Sequence, residues 1–388
     1  MAGRARPRGV VGLTVLAVLT AIGVSWYRGG LGDYPHDAAG AVDALAGGHV
    51  LRALTVHPQP LMGPIAILAR APFVAAGHAF GAGSLASYRL GAIPCLVAAG
   101  LLGVVLLRTF APASRRGAVS IVVVLLAVAS PAATSAVELG HPEEVLCAAL
   151  SVLAVVAAMR GRAVATAVLL GLALATKQWA IIAVPPAVLA VGRPYRWRVA
   201  AAATGLAMLL TLPQVLADPS GFASVSQHAA TATNDTFVQS WWYLVGQTLP
   251  GWLARSTHPA IVLAAFPLTA LAYRRGLRAD DALPLLALLF LVRCVLDPVD
   301  NYYYHLPLLL ALLAWDVKMR RHLPSATLAA TLCLIVTNSF LAGTAASAFY
   351  LVWTVALAAL LAVVLRRATS VDGRNAVGQA PYALGQPA

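Results

Sequence analysis

The chain has 388 residues, of which 60% are hydrophobic and only 11% charged, and it carries a formal net charge of +13. An average soluble domain is about one-quarter charged, so this composition excludes a soluble enzyme, a disordered chain and a disulfide scaffold. It leaves an all-α, polytopic integral membrane protein, because a segment in lipid must satisfy its own backbone hydrogen bonds.

In chain order, Arg4, Arg6 and Arg8 precede an apolar run from Gly9 to about Trp26. Ala21-x-Gly23 offers a weak cleavage pattern for a signal peptide. An uncleaved first helix is the preferred reading, since every later segment is also membrane-like. Further apolar runs lie at 89–107, 118–136, 143–159, 163–176, 179–191, 199–216, 259–273, 282–296, 303–316, 323–341 and 346–365. With the first run they predict about 12 transmembrane or re-entrant helices in one domain over 1–365, although several fall short of the ~20 residues of a straight span. Residues 366–388 read as a flexible cytoplasmic tail.

Basic residues set the orientation. With the N-terminus inside, the groups at Arg108, Arg115 and Arg116, at Arg160 and Arg162, at Arg193, Arg196 and Arg198, at Arg274, Arg275 and Arg278, and at Lys318, Arg320 and Arg321 also fall inside. The regularity requires two choices. Residues 61–80, which hold Pro64, Arg70, Pro72 and His78, become an interfacial or re-entrant helix. Residues 163–191 become two short helices that break at Lys177-Gln178-Trp179, and broken helices are tolerated where they line a cavity. Two long segments, 27–88 and 217–258, then face outside, with most acids and histidines on that side. The inner loops are short, basic and without a phosphate-binding glycine motif, so the chemistry is expected at the outer face. The basic residues are too scattered for a nucleic-acid partner.

Five constellations could carry that chemistry. Asp33-Tyr34-Pro35-His36-Asp37 follows the first helix, and a carboxylate there could serve as a general base on a hydroxyl. A solvated acidic loop is the plain alternative. Glu138-Leu139-Gly140-His141-Pro142-Glu143-Glu144 could bind a sugar or a divalent cation. A helix N-terminus explains Pro142, Glu143 and Glu144 but leaves Glu138 and His141 over. Lys177 lies amid an apolar stretch, costly unless it meets an anion or snorkels to the headgroups. Asp297-Pro298-Val299-Asp300-Asn301-Tyr302-Tyr303-Tyr304-His305, with Arg293 upstream, could bind phosphate through Arg293 and His305, although interfacial tyrosines are ordinary. Ser240-Trp241-Trp242-Tyr243 offers faces for sugar stacking, with the aromatic belt as its alternative. Cys95, Cys147, Cys294 and Cys333 lie in apolar runs without metal-ligand spacing and read as small buried hydrophobes.

An Asp soon after the first helix, an Ala44-Leu45-Ala46-Gly47-Gly48 run on an amphipathic segment, a broken helix and a second large outer loop resemble the GT-C superfamily of membrane glycosyltransferases. Within it the chain is similar to glycosyltransferase family 87, the polyprenol-phosphate-mannose-dependent mannosyltransferases of actinobacteria. Gly140-His141-Pro142-Glu143-Glu144 and Ala175-Thr176-Lys177-Gln178-Trp179-Ala180 add to that likeness. The resemblance implies inverting transfer of mannose from a polyprenyl-phosphate donor to a lipid or glycan acceptor, at the outer face of the cytoplasmic membrane, in cell-envelope biosynthesis. Asp33 would be the base, with Asp37 its rival. Lys177, Arg293 and His305 would hold the donor phosphate. Glu138, His141, Glu143, Gln178, Trp241, Trp242, Asp300 and Asn301 would line the sugar and acceptor sites. No cofactor or metal is required by this reading, and a divalent cation is possible. The family loop often carries an aliphatic-aromatic pattern after the Asp, whereas Tyr34-Pro35-His36-Asp37 stands here. The main non-enzyme alternative is a secondary transporter or lipid-linked-sugar flippase. A lipid-linked phosphatase or ligase and a non-catalytic envelope subunit are further alternatives.

Overall fold

The computed structural model describes residues 7–111, 117–230, 234–319 and 323–377. Arg4, Arg6, Arg115, Arg116, Arg320 and Arg321 lie outside these residues, as does the end of the tail from 378 on. Among the described residues the chain is helical, with no named strand and one isolated bridge, between Asp235 and Thr248.

Helix α1 (Pro7–Arg28) leads to three short helices, α2 (Tyr34–Asp37), α3 (Ala39–Ala46) and α4 (Val50–Leu54), and then to α5 (Pro64–Ala79). The long α6 (Ser84–Phe110) follows, then α7 (Ala118–Ala129) and α8 (Pro131–Glu138), separated where Pro131 lacks an N–H and Ser130 caps the Ala133 amide. Next come α9 (Pro142–Met159) and α10 (Ala163–Leu174), a 3-10 stretch Gln178–Ala183 continuing into α11 (Val184–Ala190), α12 (Arg196–Ala217) and α13 (Pro219–Ala230). The remainder is α14 (Gly251–Arg274), α15 (Ala282–Leu296), α16 (Leu306–Lys318), α17 (Ser325–Ile335) and α18 (Gly343–Val377).

The apolar runs of the sequence fall on helices, as expected of a helical membrane protein. Seven helices are long and apolar enough to cross a membrane: Gly9–Arg28, Ser84–Phe110, Ala118–Glu138, Pro142–Met159, Arg193–Ala217, Gly251–Arg274 and Gly343–Arg367. The other runs form shorter helices. Of these, α10 has 12 residues, α15 has 15 and α16 has 13, or about 18–23 Å at 1.5 Å per residue. They are stabilised by packing and not by length. The stretch 366–377, read as tail, continues α18 as helix.

The core centres on α9 and α16. Every α16 residue from Leu306 to Val317 is buried, and α9 is buried on nearly all sides between α6, α10, α11 and α16. Outer helices turn apolar side chains outward, among them Met208, Leu209 and Leu216 of α12 and Leu263 and Phe266 of α14. Large apolar faces of this kind suit lipid and not water. Helix α5 lies against α3 and runs antiparallel to the start of α6, its Gly77 facing Ser87 and its Val74 facing Gly91.

Candidate functional site

The ends of α1, α8 and α10 and the starts of α2, α5 and α9 meet at one end of the bundle. Two close backbone approaches hold them. The loop after α1 crosses the α8–α9 turn, where the Asp33 amide donates to the Leu139 carbonyl at 2.9 Å. Gly140 makes the crossing possible. Its φ is +92°, and a Cβ there would lie 2.6 Å from both the Leu31 oxygen and the Tyr34 nitrogen. The second approach is at Gly63, whose amide donates to Thr176 at 2.9 Å, while Ile65 donates to Ala175 at 3.1 Å. A Cβ on Gly63 would meet the Ala175 carbonyl. The break after α10 therefore gives its free carbonyls to the first turn of α5, and Lys177 follows in an extended conformation. Gly140→Ala is expected to cost about 1–3 kcal/mol, as for other side chains forced into left-handed backbone. The melting temperature of the detergent-solubilised protein measures it.

His141, buried at the foot of α9, is the hub. Its Nε2 lies 3.2 Å from Asp33 Oδ2 and 3.9 Å from Asp37 Oδ2, and its Nδ1 lies 3.1 Å from Glu143 Oε1. Pro142 starts α9, so Glu143 and Glu144 occupy its first turn near the positive end of the helix dipole. Lys177 Nζ then spans the two carboxylates, 3.4 Å from Glu143 Oε1 and 3.3 Å from Glu144 Oε1. Behind Glu143, Arg70 Nη1 approaches its Oε2 to 3.6 Å, with both side chains fully buried. The Arg70 guanidinium is also 4.5 Å from the Tyr34 ring centre and 5.4 Å from that of Tyr88. Its Nε and Nη2 have no hydrogen-bond partner, so the rings and Glu143 together stabilise it.

The two aspartates differ in setting. The Asp33 side chain is 67% exposed and that of Asp37 only 19%. Burial holds the Asp37 carboxyl above the usual carboxylate range, partly offset by His141 and Lys177. At His141, burial works against the charged ring, but the hydrogen bond and charge of Glu143 outweigh it and keep the pKa above the ordinary imidazole value. Asp33, Asp37 and His141 also place one ligand atom each within 4.8 Å of one another, a geometry that could take a divalent cation.

Next to this network stands Arg293. Trp179 donates to Glu144 Oε2 at 2.8 Å, and the Arg293 guanidinium lies 5.0 Å from the Trp179 ring centre and 4.8 Å from that of Tyr304. Its Nη1 donates to the Tyr304 carbonyl at 3.0 Å. Among the described residues no carboxylate lies within salt-bridge distance of it, whereas Lys177 already has two. Tyr303 completes the wall, 5.1 Å from the His141 ring.

Several expected site residues lie elsewhere. Glu138 forms a surface pair with Arg28 at 2.9 Å. Trp241 and Trp242 stack on each other, and both donate their indole N–H to the Val295 carbonyl. His305 and Asp300 sit together in a separate buried cluster, 3.4 Å apart, with Tyr350 and Cys294. Gln178 is exposed beside Lys177, and Asn301 precedes the 3-10 turn Tyr302–His305, its backbone carbonyl accepting from the Tyr304 amide. The sequence reading missed Arg70, Tyr34 and Tyr303 as members of the network. For Arg70 a signal existed, since it is an ionisable residue in an apolar stretch.

A further polar cluster ties the two long segments together. Asp218 accepts from Gln59 Nε2 at 3.0 Å and from the Gly221 amide at 2.9 Å, and Gln214 donates to Gln59 at 2.7 Å. Those hydrogen bonds hold the Asp218 carboxyl below its ordinary range.

Comparison with known proteins finds no family model, no curated protein and no solved structure that matches the chain.

Proposed function

We propose that this protein transfers a sugar, with inversion, from a polyprenyl-phosphate donor to a lipid or glycan acceptor at the outer face of the cytoplasmic membrane. Mannose is the sugar the sequence resemblance suggests, and a GT-C arrangement is the fold it suggests. One observation carries the proposal: the two aspartates of the first long segment converge on buried His141 at the end of the bundle where Lys177 and Arg293 also stand. That end supplies a carboxylate for a hydroxyl and cations for a phosphate leaving group.

In this reading Asp33, the more exposed carboxylate, takes the proton of the acceptor hydroxyl. The oxygen attacks the anomeric carbon, and the bond to the donor phosphate breaks. Arg293 holds the departing phosphate, because its guanidinium is not already paired with a carboxylate. Lys177 supports the charge from within its pair with Glu143 and Glu144. His141 orients Asp33 and Asp37. In lipid nanodiscs with polyprenyl-phosphate mannose and a membrane-lipid acceptor pool, the wild type is expected to form glycosylated lipid. Absence of transfer with every lipid-linked sugar tested would refute the reading.

A transporter remains the second reading, favoured by the continuous chain of ionisable groups from exposed Asp33 to buried Glu144, which is the form a proton relay takes. Proton-coupled flux in sealed vesicles without glycosyl product would favour it.

The pH dependence has a definite sign. His141 is charged below its raised pKa and faces Asp33, Asp37, Glu143, Glu144 and Lys177. The ion pairs that hold the aspartates are present below that pKa and are lost as pH rises through it. Activity is therefore expected to fall on an alkaline limb placed above the ordinary imidazole value of about 6.5. Burial of Asp37 adds an acid limb above the usual carboxylate range. His141→Gln should remove the alkaline limb in a pH–rate profile.

A further inference from the structure

A second cluster lies behind Arg293 and Tyr304, between the end of α15 and the N-terminal part of α18. Cys294, Asp300 and His305 are each 1% exposed, and one ligand atom from each lies within 4.8 Å of the others. The loop that carries Asp300 is fixed on both sides. Asp297 accepts from the Val299 amide at 3.1 Å, the Pro298 carbonyl accepts from Phe237 at 3.1 Å, and Asn301 accepts from the Tyr304 amide at 2.8 Å. The 3-10 turn Tyr302–His305 then folds His305 back over Asp300. His305 Nε2 is 3.4 Å from Asp300 Oδ2 and 3.1 Å from the Tyr350 hydroxyl.

The cluster does not satisfy itself. Both oxygens of Asp300 and Nδ1 of His305 are buried without a hydrogen-bond partner. Among the described residues only His305 and Tyr350 stand near the Asp300 carboxyl as donors, and a buried carboxylate so weakly served is costly, because it loses its water without full replacement. The one other polar contact of Cys294 is a thiol hydrogen bond to the Tyr304 carbonyl at 3.4 Å. Sulfur, imidazole and carboxylate around one buried point form the donor set of a transition metal and not of calcium or magnesium, which take oxygen alone.

We propose that Cys294, Asp300 and His305 form a transition-metal site whose natural occupant is zinc. Binding forms sulfur–zinc and oxygen–zinc bonds and releases two protons to solvent, one from the Cys294 thiol and one from the Asp300 carboxylic acid. Thiolate and carboxylate together neutralise the two charges of the ion, which suits a buried site. Zinc takes four ligands at about 2.0–2.3 Å, so the side chains must draw in from their present spacing. The Tyr350 hydroxyl, 3.1 Å from His305 Nε2, is near enough to supply the fourth ligand. The site ties α15, the turn before α16 and α18 together, and it does not depend on the sugar-transfer reading.

Cobalt is the probe. The full chain, purified in detergent without chelator and without a histidine tag, is titrated with cobalt(II) alone. The wild type is expected to develop a sulfur-to-cobalt charge-transfer band and the visible bands of tetrahedral cobalt, and zinc should displace them at equimolar amounts. Cys294→Ser should lose the charge-transfer band, whereas Cys95→Ser, Cys147→Ser and Cys333→Ser should keep it. Asp300→Asn should weaken binding by more than the roughly 10–100-fold that loss of an outer-shell partner costs. A wild type that binds no cobalt, or whose bound cobalt lacks the sulfur band, overturns the proposal and leaves Asp300 as a buried neutral acid. The wild-type spectrum decides even if a variant fails to fold.

Discussion

Asp33→Asn is expected to reduce sugar transfer by roughly 10²–10⁴-fold, the usual contribution of a positioned general base. The loss should fall on kcat, with the donor KM nearly unchanged, since Asp33 does not face the cations proposed to hold the donor. Its carboxylate is mostly exposed and meets His141 at 3.2 Å, so the substitution removes a proton acceptor without opening the core. Asp37→Asn should reduce the rate less, because that side chain is largely buried and stands 3.9 Å from the same nitrogen. Radiolabelled donor turnover by the three proteins measures both. Equal activity of Asp33→Asn and wild type would remove Asp33 as the base, and a larger loss in Asp37→Asn would give the role to that residue.

Glu143→Gln should be the most destabilising single change at the site. Glu143 is fully buried and meets His141, Lys177 and Arg70 at once. The amide retains much of the shape but loses the charge. Lys177 keeps Glu144, whereas Arg70, already with two unpartnered nitrogens, loses the one carboxylate within salt-bridge distance among the described residues. Removing one member of a buried ion pair costs about 3–5 kcal/mol, a large share of a typical 5–15 kcal/mol of stability. Chemical unfolding in detergent should show the loss. Adding Arg70→Met should recover part of it, because the two side chains are in contact and their effects should not sum. A double variant as destabilised as the sum of the two singles would show that Arg70 and Glu143 act separately.

The parts of this arrangement legible in the sequence were those where one residue breaks a local pattern. Lys177 interrupts an apolar run, and the chain does leave helix there. His141 stands before a Pro-Glu-Glu helix start that has no need of it, and it is the hub. Arg70 is equally anomalous, but the stretch around it reads as an interfacial or re-entrant helix. Its partner Glu143 is far along the chain, and nothing local links them. Trp241 and Trp242 have the composition of a sugar platform, and only the fold brings the Val295 carbonyl to both indoles. Asp300 and His305 looked like part of one outer-face site. The 3-10 turn instead places them with Cys294, whose spacing matches no metal motif. Hydropathy alone also does not separate helices such as α15 and α16, which are buried among other helices, from helices buried in lipid.

That burial of α16 bears on biogenesis. A 13-residue helix enclosed from Leu306 to Val317 by α9, α15, α17 and other helices has no face of its own for the bilayer, and it emerges from the ribosome after most of its neighbours. The earlier helices must therefore wait in the membrane with a vacant groove along α9 until residues 306–318 arrive. Nascent chains released before that point would expose the groove, and quality-control proteases would meet an incomplete barrel of helices in place of a finished one.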